Sequence, residues 1–290
     1  MNSLEYLQPR DVAEAVALLS EGVGEYLPVL GATDVWAGIR SGKLAPRGLV
    51  SLTGIAALHD LRLDEEALVV GAGGTHGRIE DSAEVASVYP ALHRACSAVG
   101  SRQVRNVASL GGNLCNAAPS ADSAVPALLY DAVCVAEGRN GRREIPVAEF
   151  FLGPGKNALQ PGEILVEVRF PRPQPGTRAD YWKLTRRKGV ELPILGVGVR
   201  LTPAADGRTV AQARIALGVA GPVPMRAHGA EALLEGEELT AARVRRAAAA
   251  AAEESQVRDS WRGKAWYRRE MIRVLIPRVI ERAGAFGLVG

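Results

Sequence analysis

Apolar residues Val12, Ala15, Val16, Leu18 and Leu19 recur at the spacing of one helix face. Asp11 stands just before them and Glu14 follows three residues later, the pattern of a capping box. A helix is therefore predicted from residue 11. The apolar run 26–30 is too short for a helix and reads as a strand that stops at Gly31; 49–52 and 68–70 read the same way. Residues 83–99 predict one helix, ended by Gly100. The stretch 101–123 has little periodicity, and a structureless segment of that length inside a compact domain is usually functional.

Farther along, 132–136 and 144–147 flank a turn at 138–141 and predict a hairpin, and 163–170 alternates like a strand. Pro171, Pro173, Pro175 and Gly176 then crowd together and mark a domain boundary. Beyond it, 181–185, 195–201 and 211–219 predict a small antiparallel sheet. Two helices close the chain, at about 240–254 and 264–282. Strands and helices alternate irregularly and include hairpins, so the expected fold class is α+β rather than a doubly wound parallel sheet.

A length of 290 residues suits two or three small domains. The net charge of +3, from 35 basic and 32 acidic residues, gives no case for nucleic acid. The densest basic cluster, Lys183, Arg186, Arg187 and Lys188, reads as a solvated surface or a subunit contact. No apolar stretch approaches the ~20 residues needed to span a bilayer. Residues 1–10 lack the basic and apolar regions of a signal peptide, so the expected compartment is the cytoplasm. Three widely spaced cysteines, Cys96, Cys115 and Cys134, argue against a disulfide framework or a metal cluster held by this chain alone. They read as small buried hydrophobes.

Two loops carry candidate chemistry. Leu30-Gly31-Ala32-Thr33-Asp34 leaves a strand and leads into a short helix that starts with Val35. Such a turn aims backbone N–H groups at one spot near the positive end of a helix, which suits phosphate; a plain tight turn is the alternative. In Ser109-Leu110-Gly111-Gly112-Asn113 the paired glycines let a ligand approach the backbone, and Ser109 and Asn113 offer side-chain hydrogen bonds. Asp122 suits sugar hydroxyls, or else caps a helix over 123–130.

Other patterns fail. Gly71-Ala72-Gly73-Gly74-Thr75-His76-Gly77 superficially resembles a dinucleotide fingerprint but has His76 at the last glycine and lacks the later acid, so it reads as a turn into a helix. Gly155-Lys156 is followed by Asn157, which breaks the nucleotide-triphosphate loop pattern. There is no G-x-S-x-G and no H-E-x-x-H, and His59, His76, His93 and His228 are scattered. With no acid–base or nucleophilic centre and two loops ready for a diphosphate, the chain looks like one whose chemistry belongs to a cofactor.

In these loops, and at four further places, the sequence resembles the FAD-binding (medium) subunits of molybdenum hydroxylases. That group includes carbon monoxide dehydrogenase, quinoline oxidoreductase, nicotinate dehydrogenase and 4-hydroxybenzoyl-CoA reductase, and the central domain of xanthine dehydrogenase is similar. The first loop stands where the family has A-G-G-T-D, and the second, preceded by Val104-Arg105-Asn106, where it has T-I-G-G-N. Asn116-Ala117-Ala118-Pro119-Ser120-Ala121-Asp122 is close to N-A-S-P-A-A-D. Gly71-Ala72-Gly73-Gly74-Thr75 matches G-A-x-x-T; Phe150-Phe151-Leu152-Gly153, with Leu159 after it, matches F-F-x-G…L. Tyr267-Arg268-Arg269-Glu270-Met271 matches Y-R-x-x-M. The resemblance covers nearly the whole chain.

It implies a two-lobed FAD-binding domain of the vanillyl-alcohol-oxidase type, residues 1–57 and 58–176, and a C-terminal domain of small sheet and helices, 177–290. Non-covalent FAD would have its diphosphate on the two glycine loops, Asp122 at its ribityl or ribose hydroxyls, and Leu159 near the flavin ring. Lys183 joins the cofactor-binding candidates. The implied partners are a small 2Fe-2S subunit and a large molybdopterin subunit, as a dimer of heterotrimers, plus an external electron acceptor. Ala32 replaces a family glycine and is expected at ordinary negative φ, because alanine at positive φ costs about 1 kcal/mol. Ile194 aligns with a lysine that lies near the flavin in xanthine dehydrogenase. The alternatives are a stand-alone flavin oxidase of the vanillyl-alcohol-oxidase type and a binding module without cofactor.

Overall fold

The computed structural model describes residues 4–284. In its first part, β1 (Glu5–Leu7), α1 (Val12–Glu21), β2 (Tyr26–Val29), α2 (Thr33–Arg40) and β3 (Gly48–Ser51) form a parallel sheet of order β1-β3-β2. Helix α1 begins as the pattern predicts: Asp11 accepts from the Glu14 N–H at 2.8 Å. Only half of the capping box forms, because the Glu14 carboxylate accepts from the backbone of Arg10 instead. Ala15, Val16 and Leu19 bury one helix face against Leu52, Ile55, Val135 and Ile164, which joins this lobe to the next.

The middle lobe opens with a 3-10 turn, Ala56–His59, and strands β4 (Leu61–Leu63) and β5 (Ala67–Gly71). Six short helices follow: α3 (His76–Asp81), α4 (Ala83–Val88), α5 (Pro90–Ser97), α6 (Arg102–Val107), α7 (Leu110–Cys115) and α8 (Ala124–Leu129). The predicted hairpin is β6 (Val133–Gly138) with β7 (Gly141–Pro146), then α9 (Val147–Phe150), a minor hairpin of β8 (Phe151–Gly153) and β9 (Lys156–Asn157), and β10 (Ile164–Pro171). The antiparallel sheet runs β4-β5-β10-β6-β7.

Two expectations fail here. The helix over 83–99 is broken, because Pro90 opens α5 and pushes Tyr89 out of the helical region, to φ −124° and ψ 59°. The break is used: the buried Tyr89 hydroxyl donates to Phe170 O at 2.9 Å and accepts from the Leu68 N–H at 3.2 Å. Nor is 101–123 structureless. Ser101 caps α6 by accepting from the Val104 N–H, and Ser109 caps α7 by accepting from the Gly112 N–H. Neither helix reaches two turns, so no apolar period has room to show.

After the proline-rich link, β11 (Arg178–Leu184), β12 (Leu195–Pro203), β13 (Val210–Gly218) and β14 (Met225–Arg226) form an antiparallel sheet in that order. Helices α10 (His228–Ala232), α11 (Ala241–Glu254) and α12 (Ala265–Arg282) cover it. Strand β12 is buried on both faces. Leu195, Val197, Val199 and Leu201 enter the C-terminal core, while the alternate positions face the middle lobe. A Cβ on Gly198 would lie 2.7 Å from Val125 and Leu129, so glycine there lets α8 lie against the strand. Across the same interface Asp131 accepts from Arg200, Arg214 and Arg226, at 3.0, 3.1 and 3.0 Å. Strand β11 alternates too: Trp182 and Leu184 pack on the C-terminal core and Tyr181 on the middle-lobe core. No helix among the described residues is long and apolar enough to cross a membrane.

Candidate functional site

The three parts meet around a cleft of about 650 Å³, within the usual range for a small-molecule site. Leu30, Gly31, Ala32, Thr33, Asp34 and Val35 form one wall. Ser109, Gly111, Gly112 and Asn113 form a second, and Asp122, Leu159 and Lys183 complete the set, so all of these cofactor-binding candidates line one cavity.

The first wall departs from expectation. Ala32 has φ +52°, not a negative value. The preceding glycine is already committed: a Cβ on Gly31 would lie 2.0 Å from the Val107 carbonyl oxygen, so Gly31 serves the close approach of this loop to the end of α6. The left-handed turn falls on Ala32 instead. It leads directly into α2, where the first intrahelical bond is Trp36 N–H to Ala32 O. Among the described residues the N–H groups of Ala32, Thr33, Asp34 and Val35 have no protein acceptor. A left-handed alanine costs about 1–2 kcal/mol, while glycine gives back part of that as unfolded-chain entropy. Ala32→Gly is therefore expected to stabilise the protein by about 0.5–1 kcal/mol, read from the urea midpoint. A lower midpoint would contradict the left-handed turn.

The second wall works differently. The Gly111 N–H donates to Ala72 O at 3.0 Å and the Gly112 N–H to Ser109 Oγ at 3.1 Å. Asn113 Oδ1 accepts from Ser123 Oγ at 2.6 Å. These groups are already satisfied. What the glycines offer is room: a Cβ on Gly111 would strike Ala72 at 2.6 Å, whereas one on Gly112 meets only Ser109 Oγ at 3.0 Å and otherwise open space.

Asp122 does not cap α8, whose N-cap is Ser123. It is 5% exposed, accepting from the Tyr181 hydroxyl at 2.7 Å and from Lys183 Nζ at 2.8 Å. Burial pushes its carboxyl pKa up, against the opposing pull of Lys183 and Tyr181. Lys183 also donates to Ala98 O at 2.8 Å, so it leaves the basic surface cluster to which its sequence position assigned it; Arg186 and Arg187 stay exposed. Among the described residues, Lys183 is the sole basic one lining the cleft. Of the acids there, Asp122 is paired with Lys183, Glu163 with Arg143 and Glu191 with Arg186, while Asp34 makes no ion pair among the described residues. Ile194 is buried away from the cleft. The lysine that reaches the cleft is Lys183.

Sequence reading missed Tyr181 and the segment Val190, Glu191 and Leu192, which also lines the cleft. Tyr181 had a signal, since it stands two residues before Lys183 on a strand and so shares its face. Outside the cleft, His76 is wholly buried, and burial pulls its pKa down to about 4. Cys96 and Cys134 are buried, and no group of three or more potential metal ligands occurs among the described residues.

Comparison with known proteins places this geometry. The family model described as the FAD binding domain in molybdopterin dehydrogenase matches residues 2–173, more than half of the chain. The chain belongs to that family. The CO dehydrogenase flavoprotein C-terminal domain matches residues 180–283. The chain is 30% identical to the xanthine dehydrogenase FAD-binding subunit of Escherichia coli O157:H7, over 97% of this chain and 96% of that one. It is also 30% identical to the carbon monoxide dehydrogenase medium chain of Hydrogenophaga pseudoflava, over 97% of each. The solved carbon monoxide dehydrogenase of that organism superposes with a TM-score of 0.93 at 31% identity, covering 97% of both chains. Quinoline 2-oxidoreductase from Pseudomonas putida 86 gives 0.91 at 26% identity, covering 98% of both. The α+β fold is thus that of an FAD-binding region followed by a C-terminal domain, and the chain is an FAD subunit of the molybdenum hydroxylase type.

Proposed function

We propose that the chain holds FAD non-covalently in this cleft and relays electrons between iron–sulfur centres of a small partner subunit and an external acceptor. Substrate is turned over at molybdenum on a large subunit, within a dimer of heterotrimers in the cytoplasm. The observation that carries the reading is the row of N–H groups from Ala32 to Val35 at the start of α2, unspent among the described residues and facing a cleft to whose lining these residues contribute one lysine and no arginine. A diphosphate there would be bound by backbone dipoles rather than by a basic cluster. Gly112 leaves the space it needs. Asp34 and Asp122 would accept from hydroxyl groups, and Leu159, half-buried against the middle-lobe core, would pack near the ring. When bound, FAD supplies the redox chemistry, taking up single electrons and releasing two; the protein orients it and sets the polarity around it.

The division into lobes 1–57 and 58–176 and a domain 177–290 is supported by the sheets, since each major sheet draws its strands from one of these segments. Acid precipitation of the purified protein is expected to release yellow colour into the supernatant as FAD. Colour kept in the pellet, or FMN in the supernatant, would overturn the proposal.

A further inference from the structure

Lys183 is held by two acceptors, Asp122 Oδ2 and Ala98 O, each at 2.8 Å, which leaves one of its three donors for the cleft it lines. The ammonium therefore stands where Asp122 puts it. Asp122 is in turn held from the other side by Tyr181, on the same face of β11 as Lys183, whose hydroxyl donates to Oδ1 at 2.7 Å. Space for that hydroxyl is provided by Gly196 on the neighbouring strand: a Cβ there would lie 3.0 Å from Tyr181 Oη. Tyr181 is 1% exposed and does not line the cleft. It has no route to a ligand except through Asp122.

We propose that Tyr181 is a positioning residue of the flavin site, which keeps the Asp122 carboxylate ionised and aimed at Lys183 and thereby fixes the ammonium group of Lys183 in the cleft. The inference rests on the reading that FAD occupies this cleft. A buried carboxylate is costly unless donors share its charge, and Asp122 has two. Without the phenol, one oxygen faces a dry interior and the carboxyl holds a proton more readily. A protonated Asp122 no longer holds Lys183 by charge. Beside a bound flavin, net positive charge favours the reduced, more negative form; a protonated Asp122 leaves the charge of Lys183 uncompensated, so the flavin potential should rise.

The test uses the assembled holoprotein and a spectroelectrochemical titration of its flavin. Tyr181→Phe keeps the ring and its packing and removes only the hydroxyl. A three- to tenfold gain of preference for reduced over oxidised flavin is expected, tenfold being about 30 mV for a two-electron couple. Asp122→Asn is expected to shift the potential further. The double variant is expected to match Asp122→Asn alone, because Tyr181 acts only through that carboxylate. An unchanged potential in Tyr181→Phe that still carries full FAD, or shifts that add in the double variant, would sink the assignment while leaving the cofactor reading intact. Wild-type protein that holds no flavin would overturn both.

Discussion

Gly112→Val is expected to leave the protein folded and to weaken FAD binding by about a hundredfold or more, about 2.8 kcal/mol. The new side chain meets Ser109 Oγ at 3.0 Å and otherwise projects into the cleft, where the diphosphate is proposed to lie. The loss is steric. The Gly112 N–H is bound to Ser109 in any case, so no ligand hydrogen bond from that group is at stake. Two neighbouring changes provide the contrast. At Gly111 a Cβ strikes Ala72 at 2.6 Å, so Gly111→Val should damage the fold itself. At Gly73 it strikes His59 and Leu58 at 2.7–2.9 Å, away from the cleft, and Gly73→Val should cost stability without acting through the diphosphate. Equilibrium flavin titration with circular dichroism separates the cases. A folded Gly112→Val that binds FAD as tightly as wild type would remove the diphosphate from this wall.

Arg268→Ala is expected to destabilise the protein by about 3–5 kcal/mol and to lower the melting temperature by about 10 °C. Arg268 is 2% exposed and donates to Ile194 O at 2.9 Å, Gly263 O at 3.0 Å and Ser260 Oγ at 2.7 Å, and to Arg258 O as well. One guanidinium thus ties the start of β12 and the loop before α12 to α12 itself. Its removal leaves several acceptors dry, each worth about 1–3 kcal/mol, part of which water entering the cavity recovers. Arg268→Lys should restore little, since an ammonium lacks the planar fork that reaches these acceptors together. Thermal denaturation checks both, and a melting point within a degree or two of wild type would contradict the role assigned to the guanidinium.

Strong periodic signals were legible in the sequence: the face of α1, the β6–β7 hairpin, and the long terminal helices α11 and α12 all form close to the positions expected. The family resemblance brought together the residues that line the cleft, although Asp122, Leu159 and Lys183 lie far apart in the chain. What stayed hidden was decided by single contacts. Pro90 outweighs an apolar pattern that otherwise runs from 83 to 99. Helices α6 and α7 rest on serine caps that lack an acidic third position. The φ of Ala32 depends on Gly31 being pressed against Val107, a contact between distant segments that no local propensity encodes. For the same reason the spacing of the second glycine loop could not reveal that its N–H groups are already taken by Ala72 and Ser109.

The lysine in the cleft is carried by β11, beyond the proline-rich link, whereas the acceptors that hold it, Asp122 and Ala98, belong to the middle lobe. On the proposed placement of FAD, cofactor affinity and the seating of the C-terminal domain are reciprocal quantities. Whatever free energy FAD gains from Lys183, it returns to the contact between the two domains. A protease that nicks the link between β10 and β11 should act more slowly on the flavin-loaded protein, and a variant that weakens the Asp131 arginine cluster should release flavin more readily, though that cluster makes no contact with the cleft.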